Sequence, residues 1–329
     1  MILKKRQKST EFATVPFLHN GDKMKKRYRA ILENFLKQKG IKFFKEFSLK
    51  EFTYYKVGGN AEFAVFPETV KQLTLLKSFC YKNAIPFFVL GGGANIIVND
   101  NGVEGVVCFT SELKKLSVKG NRVLAECGVF LDKLAVFAAE KGLSGFEFAY
   151  NIPGTVGGAL VMNAGNNYGE FSRITCVVKA CDYRGKIFNF PANLCKFGYR
   201  TSIFKTEKLI VLSAVFSCKK RDKKEIYALM EKIKEERERK FPLEFPNAGS
   251  VFKRPKGYYA GKLIEDAGCG GLKVGGAMVS PKHKGFIVNT GNATAEDIKN
   301  LIALVQERVY RKFGVKLERE QIYFPEDLT

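Results

Sequence analysis

The chain has no tryptophan and only two histidines, His19 and His283, in 329 residues. That scarcity excludes much. The eight cysteines include no Cys-x-x-Cys pair, and no Cys/His group has the spacing of metal ligands, so no metal site is expected. The cysteines read instead as buried thiols in a reducing compartment. Long apolar runs are missing too. No stretch of about 18 apolar residues occurs, and no apolar segment follows the N-terminal charges, so neither a membrane span nor a secretory signal is read. The protein is expected in the cytoplasm. Two phosphate-binding signatures are likewise absent: neither GxGxxG nor GxxxxGK[ST] occurs at the glycine clusters.

Phenylalanine (29 residues) and positive charge are plentiful. Lys and Arg number 55 against 33 Asp and Glu, a formal charge of +22. Nucleic acid, phosphate-bearing small molecules or a merely solvated basic surface would each account for it. The last weighs most, because net charge speaks to association and not to fold. Many cations crowd the N-terminus (Lys4, Lys5, Arg6, Lys8, Lys23, Lys25, Lys26, Arg27, Arg29), and residues 1–22 read as a flexible basic arm.

Periodicity organises the rest. Tyr28, Ile31, Leu32 and Phe35 predict a helix from Met24 to about Lys39, with Gly40 as its stop. Residues 23–51 form this helix and a lead-in. Short apolar strands then alternate with helices: Ala61–Phe66, helix Val70–Asn83, Pro86–Leu90, Ile96–Val98, Val106–Phe109, a hairpin over Ser117–Cys127, and helix Leu131–Lys141 ended by Gly142. Asp222–Arg239 is a solvated charged helix between two domains, 52–220 and 221–329. Beyond it lie helix Tyr259–Ala267, strands Gly275–Val279 and Phe286–Asn289, and a long helix Ala295–Phe313 capped by Thr294 with Asp297 three residues on.

Two glycine-rich loops could carry chemistry. Gly91-Gly92-Gly93-Ala94-Asn95 follows a strand, and Ile152-Pro153-Gly154-Thr155-Val156-Gly157-Gly158 precedes an apolar stretch, with Asn163-Ala164-Gly165 close behind. Backbone without side chains lets successive N–H groups close round a pyrophosphate. One such loop is more often a tight turn, but two in one α/β domain point to a dinucleotide. Three further tracts are ambiguous alone: Phe197-Gly198-Tyr199-Arg200-Thr201-Ser202, Asn247-Ala248-Gly249-Ser250-Val251-Phe252-Lys253, and Leu317-Glu318-Arg319-Glu320. No histidine neighbours Ser250 in sequence, so a Ser/His/Asp hydrolase has little support.

In this order, with Tyr55-Lys56-Val57-Gly58-Gly59 before them and Ala260-Gly261-Lys262-Leu263-Ile264-Glu265 and Lys282-His283 within the last third, these tracts resemble the UDP-N-acetylenolpyruvoylglucosamine reductase (MurB) family from about Phe52 to Tyr323. The resemblance implies an α+β fold: a two-lobed FAD-binding domain of the vanillyl-alcohol-oxidase (PCMH) type, followed by a smaller α/β substrate domain. It implies non-covalent FAD held by Gly91–Asn95, by Ile152, Pro153, Gly154, Thr155, Gly157 and Gly158, and by Asn163 and Gly165. NADPH would be the hydride donor, and the enolpyruvyl group of UDP-N-acetylglucosamine enolpyruvate would be reduced to UDP-N-acetylmuramate. Arg200 would meet the substrate carboxylate, Glu320 would act as its protonated or hydrogen-bonded partner with Glu318 as fallback, and Ser250 would give a proton to carbon. Tyr199, Arg237, Lys240, Lys253 and Lys262 would contact the sugar nucleotide.

The sequence departs from the family in places. Asn166-Asn167 stand before Tyr168 where one small residue is common. Arg254 follows Lys253 where Asn is usual, and Gln321 follows Glu320 in place of Val-Arg. No room exists between Arg200 and Lys240 for the tyrosine-bearing insertion of some members, so the shorter type is expected. A monomer or weak dimer is expected, without nucleic-acid or membrane partners. Two other readings remain: a related flavoenzyme acting on another acid or alcohol, and a basic nucleic-acid-binding or scaffold protein without catalysis. The absence of histidine between residues 20 and 282 argues against histidyl attachment of flavin.

Overall fold

The computed structural model describes residues 21–328, with side chains from Tyr28 onward. Of the arm read at 1–22, residues 1–20 lie outside the described residues, and Gly21 and Asp22 already belong to the first helix, Gly21–Gln38. Leu32 and Leu36 of this helix are fully buried, and Gly40 beyond its end has φ +58°. The lead-in is partly a strand: Lys42–Ser48 forms one edge of the first sheet. Only Phe43 and Phe47 are partly covered on that strand, and the lysines face water, as edge strands tolerate.

The first sheet runs Lys42–Ser48, Asn60–Phe66, Val103–Phe109, Phe87–Leu90. Its first pair is antiparallel, and the other pairs are parallel. Helix Val70–Lys82 makes the crossover, and the Thr69 side chain accepts from the Gln72 amide at its N-terminus. The second sheet is antiparallel, in the order Ile187–Pro191, Thr175–Cys181, Ile210–Ser217, Arg122–Glu126, Leu116–Lys119. Its last two strands are the expected hairpin; Lys119 pairs with Arg122, leaving Gly120-Asn121 as the turn. One apolar core joins the two sheets. The charged helix is Lys223–Lys240, with Asp222 at its N-cap accepting from Lys224 N; only Ile226, Met230 and Ile233 are buried.

The last third folds as strands Lys273–Val274, Ala277–Val279 and Ile287–Asn289 under helix Ala295–Phe313. The capping box at Thr294 and Asp297 is present. Asp100, from the first part of the chain, accepts from Ala295 N at 2.9 Å and Glu296 N at 3.0 Å, so the helix start is tied across the two units. The second core contains Tyr55, Val57 and Ile97 alongside this region's own residues. The chain then returns: Ile322–Phe324 pairs in parallel with Ile96–Val98.

The cap yields a stability prediction. Backbone N–H groups of Thr294 and Gly276 hold the Asp297 carboxyl below the usual carboxylate range. Its contribution is therefore full above the ordinary Asp value and is lost as pH falls through the lowered one. Asp297→Ala is expected to cost about 1 kcal/mol at neutral pH, read as a shifted urea midpoint with unchanged slope, and to cost progressively less in acid.

Candidate active site

The two glycine loops, distant in sequence, lie against each other. A Cβ placed on Gly91 would stand 2.6 Å from Thr155 Oγ1, and one on Gly92 would stand 2.8 Å from Gly154 Cα. No side chain fits between them, so the backbones form a bare cleft wall. The second loop is pinned from outside by Phe130, which bridges Thr155, by Leu131 N donating to Gly154 O at 3.1 Å, and by Gly157 N donating to Cys127 O at 2.9 Å. The hydroxyl of Thr155 is buried and makes no hydrogen bond among the described residues. Ala94, Asn95, Ile152 and Pro153 are partly exposed along the same wall, and Gly158 is exposed. Helix Val156–Met162 follows and ends at Asn163 in the left-handed region, φ +44°. The Asn163 amide donates to Gly198 O at 3.1 Å, and its oxygen accepts from Ser172 N at 2.9 Å. One end of that side chain thus ties the arginine loop to the glycine-loop helix, and the other ties the Phe171–Arg173 turn to it.

Arg200 itself sits in the left-handed region, φ +56°. Gly165 O accepts from its Nη2 at 3.1 Å. Its Nε stands 2.9 Å from Glu320 Oε1. This contact is an ion pair without hydrogen-bond alignment, which leaves the Nε–H unused. The Arg200 guanidinium also lies 5.3 Å from the centre of the Tyr199 ring. Glu320 is placed by main chain on both sides: its N donates to Val251 O at 2.8 Å, and its O accepts from the Asn95 side chain at 3.3 Å. Burial pushes its carboxyl up from the ordinary value, outweighing the pull of Arg200, Lys205 and Lys253.

Ser250 lies on the strip that pairs with the Glu320 strip. Phe252 bridges Arg319, Ser250 bridges Phe286, and Lys253 N donates to Glu318 O at 2.9 Å. The Ser250 side chain is exposed and has no hydrogen bond among the described residues. Beneath the strips, buried Gln321 accepts from Tyr55 OH at 3.1 Å and donates to Ala248 O at 3.1 Å. The residue that departs from the family pattern is therefore the buried bolt under the serine turn. Hydrogen bonds through Asn95, Glu320 and Val251 thus connect the first glycine loop, the arginine–carboxylate pair and the serine strip.

Three comparisons bear on this arrangement. Residues 61–190 match the family described as "FAD binding domain", and residues 241–324 match "UDP-N-acetylenolpyruvoylglucosamine reductase, C-terminal domain". The UDP-N-acetylenolpyruvoylglucosamine reductase of Caldicellulosiruptor bescii is 44% identical over 88% of this chain and 92% of its own length. That of Listeria welshimeri is 45% identical over 85% of this chain and 94% of its own. The crystal structure of the Thermus caldophilus reductase superposes with a TM-score of 0.74 at 34% identity, covering 86% of this chain and 98% of that one. The chain belongs to the UDP-N-acetylenolpyruvoylglucosamine reductase (MurB) family. It is an FAD-dependent oxidoreductase of peptidoglycan-precursor synthesis that uses NADPH, and it has the PCMH-type FAD domain followed by the MurB C-terminal domain.

The cleft of this MurB chain fits the cofactor. Gly91 and Gly92 let the two loops close directly on each other, and the unpartnered Thr155 hydroxyl between them is a donor that suits a close-lying diphosphate. The five residues read as sugar-nucleotide contacts are placed unequally. Tyr199 is exposed, and its OH accepts from Arg254 N at 3.2 Å. Lys253 is ion-paired with Glu318. Arg237 has a buried Nε without a hydrogen bond among the described residues and lies 5.0 Å from the Phe241 ring, with Lys240 over the same ring at 5.6 Å. Lys262 is exposed and pairs with Asp266 one turn along its own helix. Tyr168 gives its OH to Glu236 of the charged helix at 2.8 Å.

Sequence reasoning missed Lys205. It is partly buried on the short helix after Arg200 and faces both Glu320 and Lys253. Burial and the Lys253 charge hold its ammonium below the usual lysine range. No spacing signal marks it, since its neighbours come from the far end of the chain. His283, by contrast, is structural: its Nδ1 accepts from Gly285 N at 3.2 Å, and its ring packs on Phe241 and Phe286. Among the described residues no metal-binding cluster exists, and no helix is long and apolar enough to cross a membrane.

Proposed function

We propose that this chain reduces UDP-N-acetylglucosamine enolpyruvate to UDP-N-acetylmuramate with Arg200, Ser250 and Glu320 as the reacting side chains. The observation that carries this reading is the Arg200–Glu320 pair at 2.9 Å, placed between the Asn95 loop and the Ser250 strip. The cradle Gly91–Asn95 with Ile152–Gly158 would hold the FAD diphosphate, with Asn163 and Gly165 shaping it from behind. FAD, when bound, supplies the hydride, drawn from NADPH, that the enolpyruvyl methylene carbon accepts.

The chain's own residues do the rest. Arg200 pairs with the substrate carboxylate and stabilises the enolate-like charge that develops beside it. Glu320, whose carboxyl burial pushes up from its ordinary value, hydrogen-bonds the same carboxylate. The Ser250 hydroxyl donates its proton to the adjacent carbon. Because a serine hydroxyl is a weak acid, a neighbouring cation must stabilise the alkoxide until it is re-protonated; Lys253 and Lys205 are the ammonium groups at hand. Tyr199, Arg237, Lys240, Lys253 and Lys262 would receive the uridine diphosphate.

The absence of a tyrosine-bearing insertion between Arg200 and Lys240 supports the shorter subtype. A domain division at residues 52–220 and 221–329 is consistent with the family matches, though the last strand crosses it. We infer a cytoplasmic protein, monomeric or weakly dimeric. The test is spectroscopic: purified protein should carry the flavin absorbance band, NADPH should bleach it anaerobically, and the sugar-nucleotide enolpyruvate should restore it. Protein that stays colourless after reconstitution with FAD would refute the assignment.

A further inference from the structure

Asp132 is the second residue of helix Leu131–Glu140 and is used by no step above. Its Oδ1 accepts the backbone N–H of Asn151 at 2.5 Å. Asn151 opens the second glycine loop and stands in the left-handed region, φ +62°, which asparagine adopts more readily than other non-glycine residues. Asp132, Tyr150, Asn151 and Lys234 border a cavity of about 540 Å³, so the loop start has open space behind it.

The same helix turn holds the loop at a second point, through Phe130 at Thr155 and Leu131 N at Gly154 O. Asp132 also faces Tyr54, whose ring hydroxyl feels its charge and whose backbone N donates to Gly93 O at 3.1 Å in the first loop. The Arg237 guanidinium of the linker helix also acts on its charge. One carboxylate therefore stands between both glycine loops and the linker helix.

We propose that Asp132 is a positioning residue of the flavin clamp, fixing the start of the second glycine loop relative to the first and so holding FAD in place. The inference rests on the assignment of the two loops to FAD. A bland alternative exists, because an acidic residue in the first turn of a helix is favoured by the helix dipole alone. The two differ in what they affect: the dipole acts on the helix and its melting, the tie on cofactor retention.

The experiment compares FAD release from holoenzyme, followed by the rise of free-flavin fluorescence after dilution, in the unsubstituted protein, Asp132→Asn and Asp132→Ala. Asparagine keeps an oxygen acceptor for the Asn151 N–H, so its release rate should stay within about twofold, whereas alanine should release FAD about fivefold faster, as expected for one lost partly exposed hydrogen bond. The melting temperature of the flavin-free protein should be nearly the same in all three. Equal release from alanine and unsubstituted protein, or equal acceleration in both variants, overturns the proposal. Should Asp132→Ala not accumulate folded, Asp132→Ser, whose hydroxyl falls short of the amide, takes its place under the same criteria. A protein that binds no FAD in any form refutes the loop assignment instead.

Discussion

Ser250→Ala is expected to leave reduction of the bound flavin by NADPH nearly intact and to slow reoxidation by the enolpyruvate substrate by roughly 10²–10⁴-fold, the range lost with a positioned proton donor. The asymmetry follows from placement. The Ser250 side chain is exposed on the strip that pairs with the Glu320 strip, with no side-chain partner among the described residues, so its removal disturbs no packing. NADPH oxidation needs no proton at the substrate carbon. Stopped-flow absorbance separates the two half-reactions, and equal slowing of both would mean that the serine only shapes the turn. Ser250→Cys, with a more acidic group, should recover part of the second half-reaction.

Arg200→Ala should have the second largest effect. Losing the charged donor at the developing carboxylate charge is expected to lower kcat/KM for the sugar nucleotide by roughly 10²–10³-fold. A pH signature should accompany it. The Glu320 carboxyl already lies above its ordinary value because burial outweighs its cations. Removing Arg200, one of the influences that lower it, moves it further up. If the protonated acid is the working form, activity falls as pH rises through that value, and the variant's fall must come at higher pH. Stability shares the sign: a carboxyl raised in the fold contributes fully below its unfolded value and loses that contribution as pH rises through the folded one. The variant should therefore melt further below the unsubstituted protein at neutral pH than in acid. A pH–rate profile with an unmoved limb would exclude Glu320 as the titrating group.

Parts of this fold are plain in the sequence and others are not. Helix Ala295–Phe313 announces itself through Thr294 and Asp297 at capping distance and a clean apolar stripe. Strand Lys42–Ser48 does not, because an edge strand needs little alternation. Strand Thr175–Cys181 is also obscured: its ladder shifts register at Thr175/Val177 and again at Lys179/Ala180, which breaks the period of two. Within the site, glycine clusters mark the cradle because close backbone approach permits no other residue. The meeting of Arg200 with Glu320 has no local signature and is visible only through the family resemblance. Asn163 shows the opposite limit. Its type and position suit a ligand contact, but no local pattern announces that its amide also donates to Gly198 O of the arginine loop while its oxygen accepts from Ser172 N.

The parallel pairing of Ile322–Phe324 with Ile96–Val98 has a consequence for synthesis. Parallel partners so far apart in the chain close late, since the entropy of a very long loop must be overcome before any contact rewards it. Asn95 and Tyr55 emerge from the ribosome long before Glu320 and Gln321, their partners, exist. A nascent chain can fold its two sheets and still present an open, half-walled cleft. Loss of only the final segment, by premature termination or C-terminal proteolysis, would leave a protein with most of its core and both glycine loops but without Glu320.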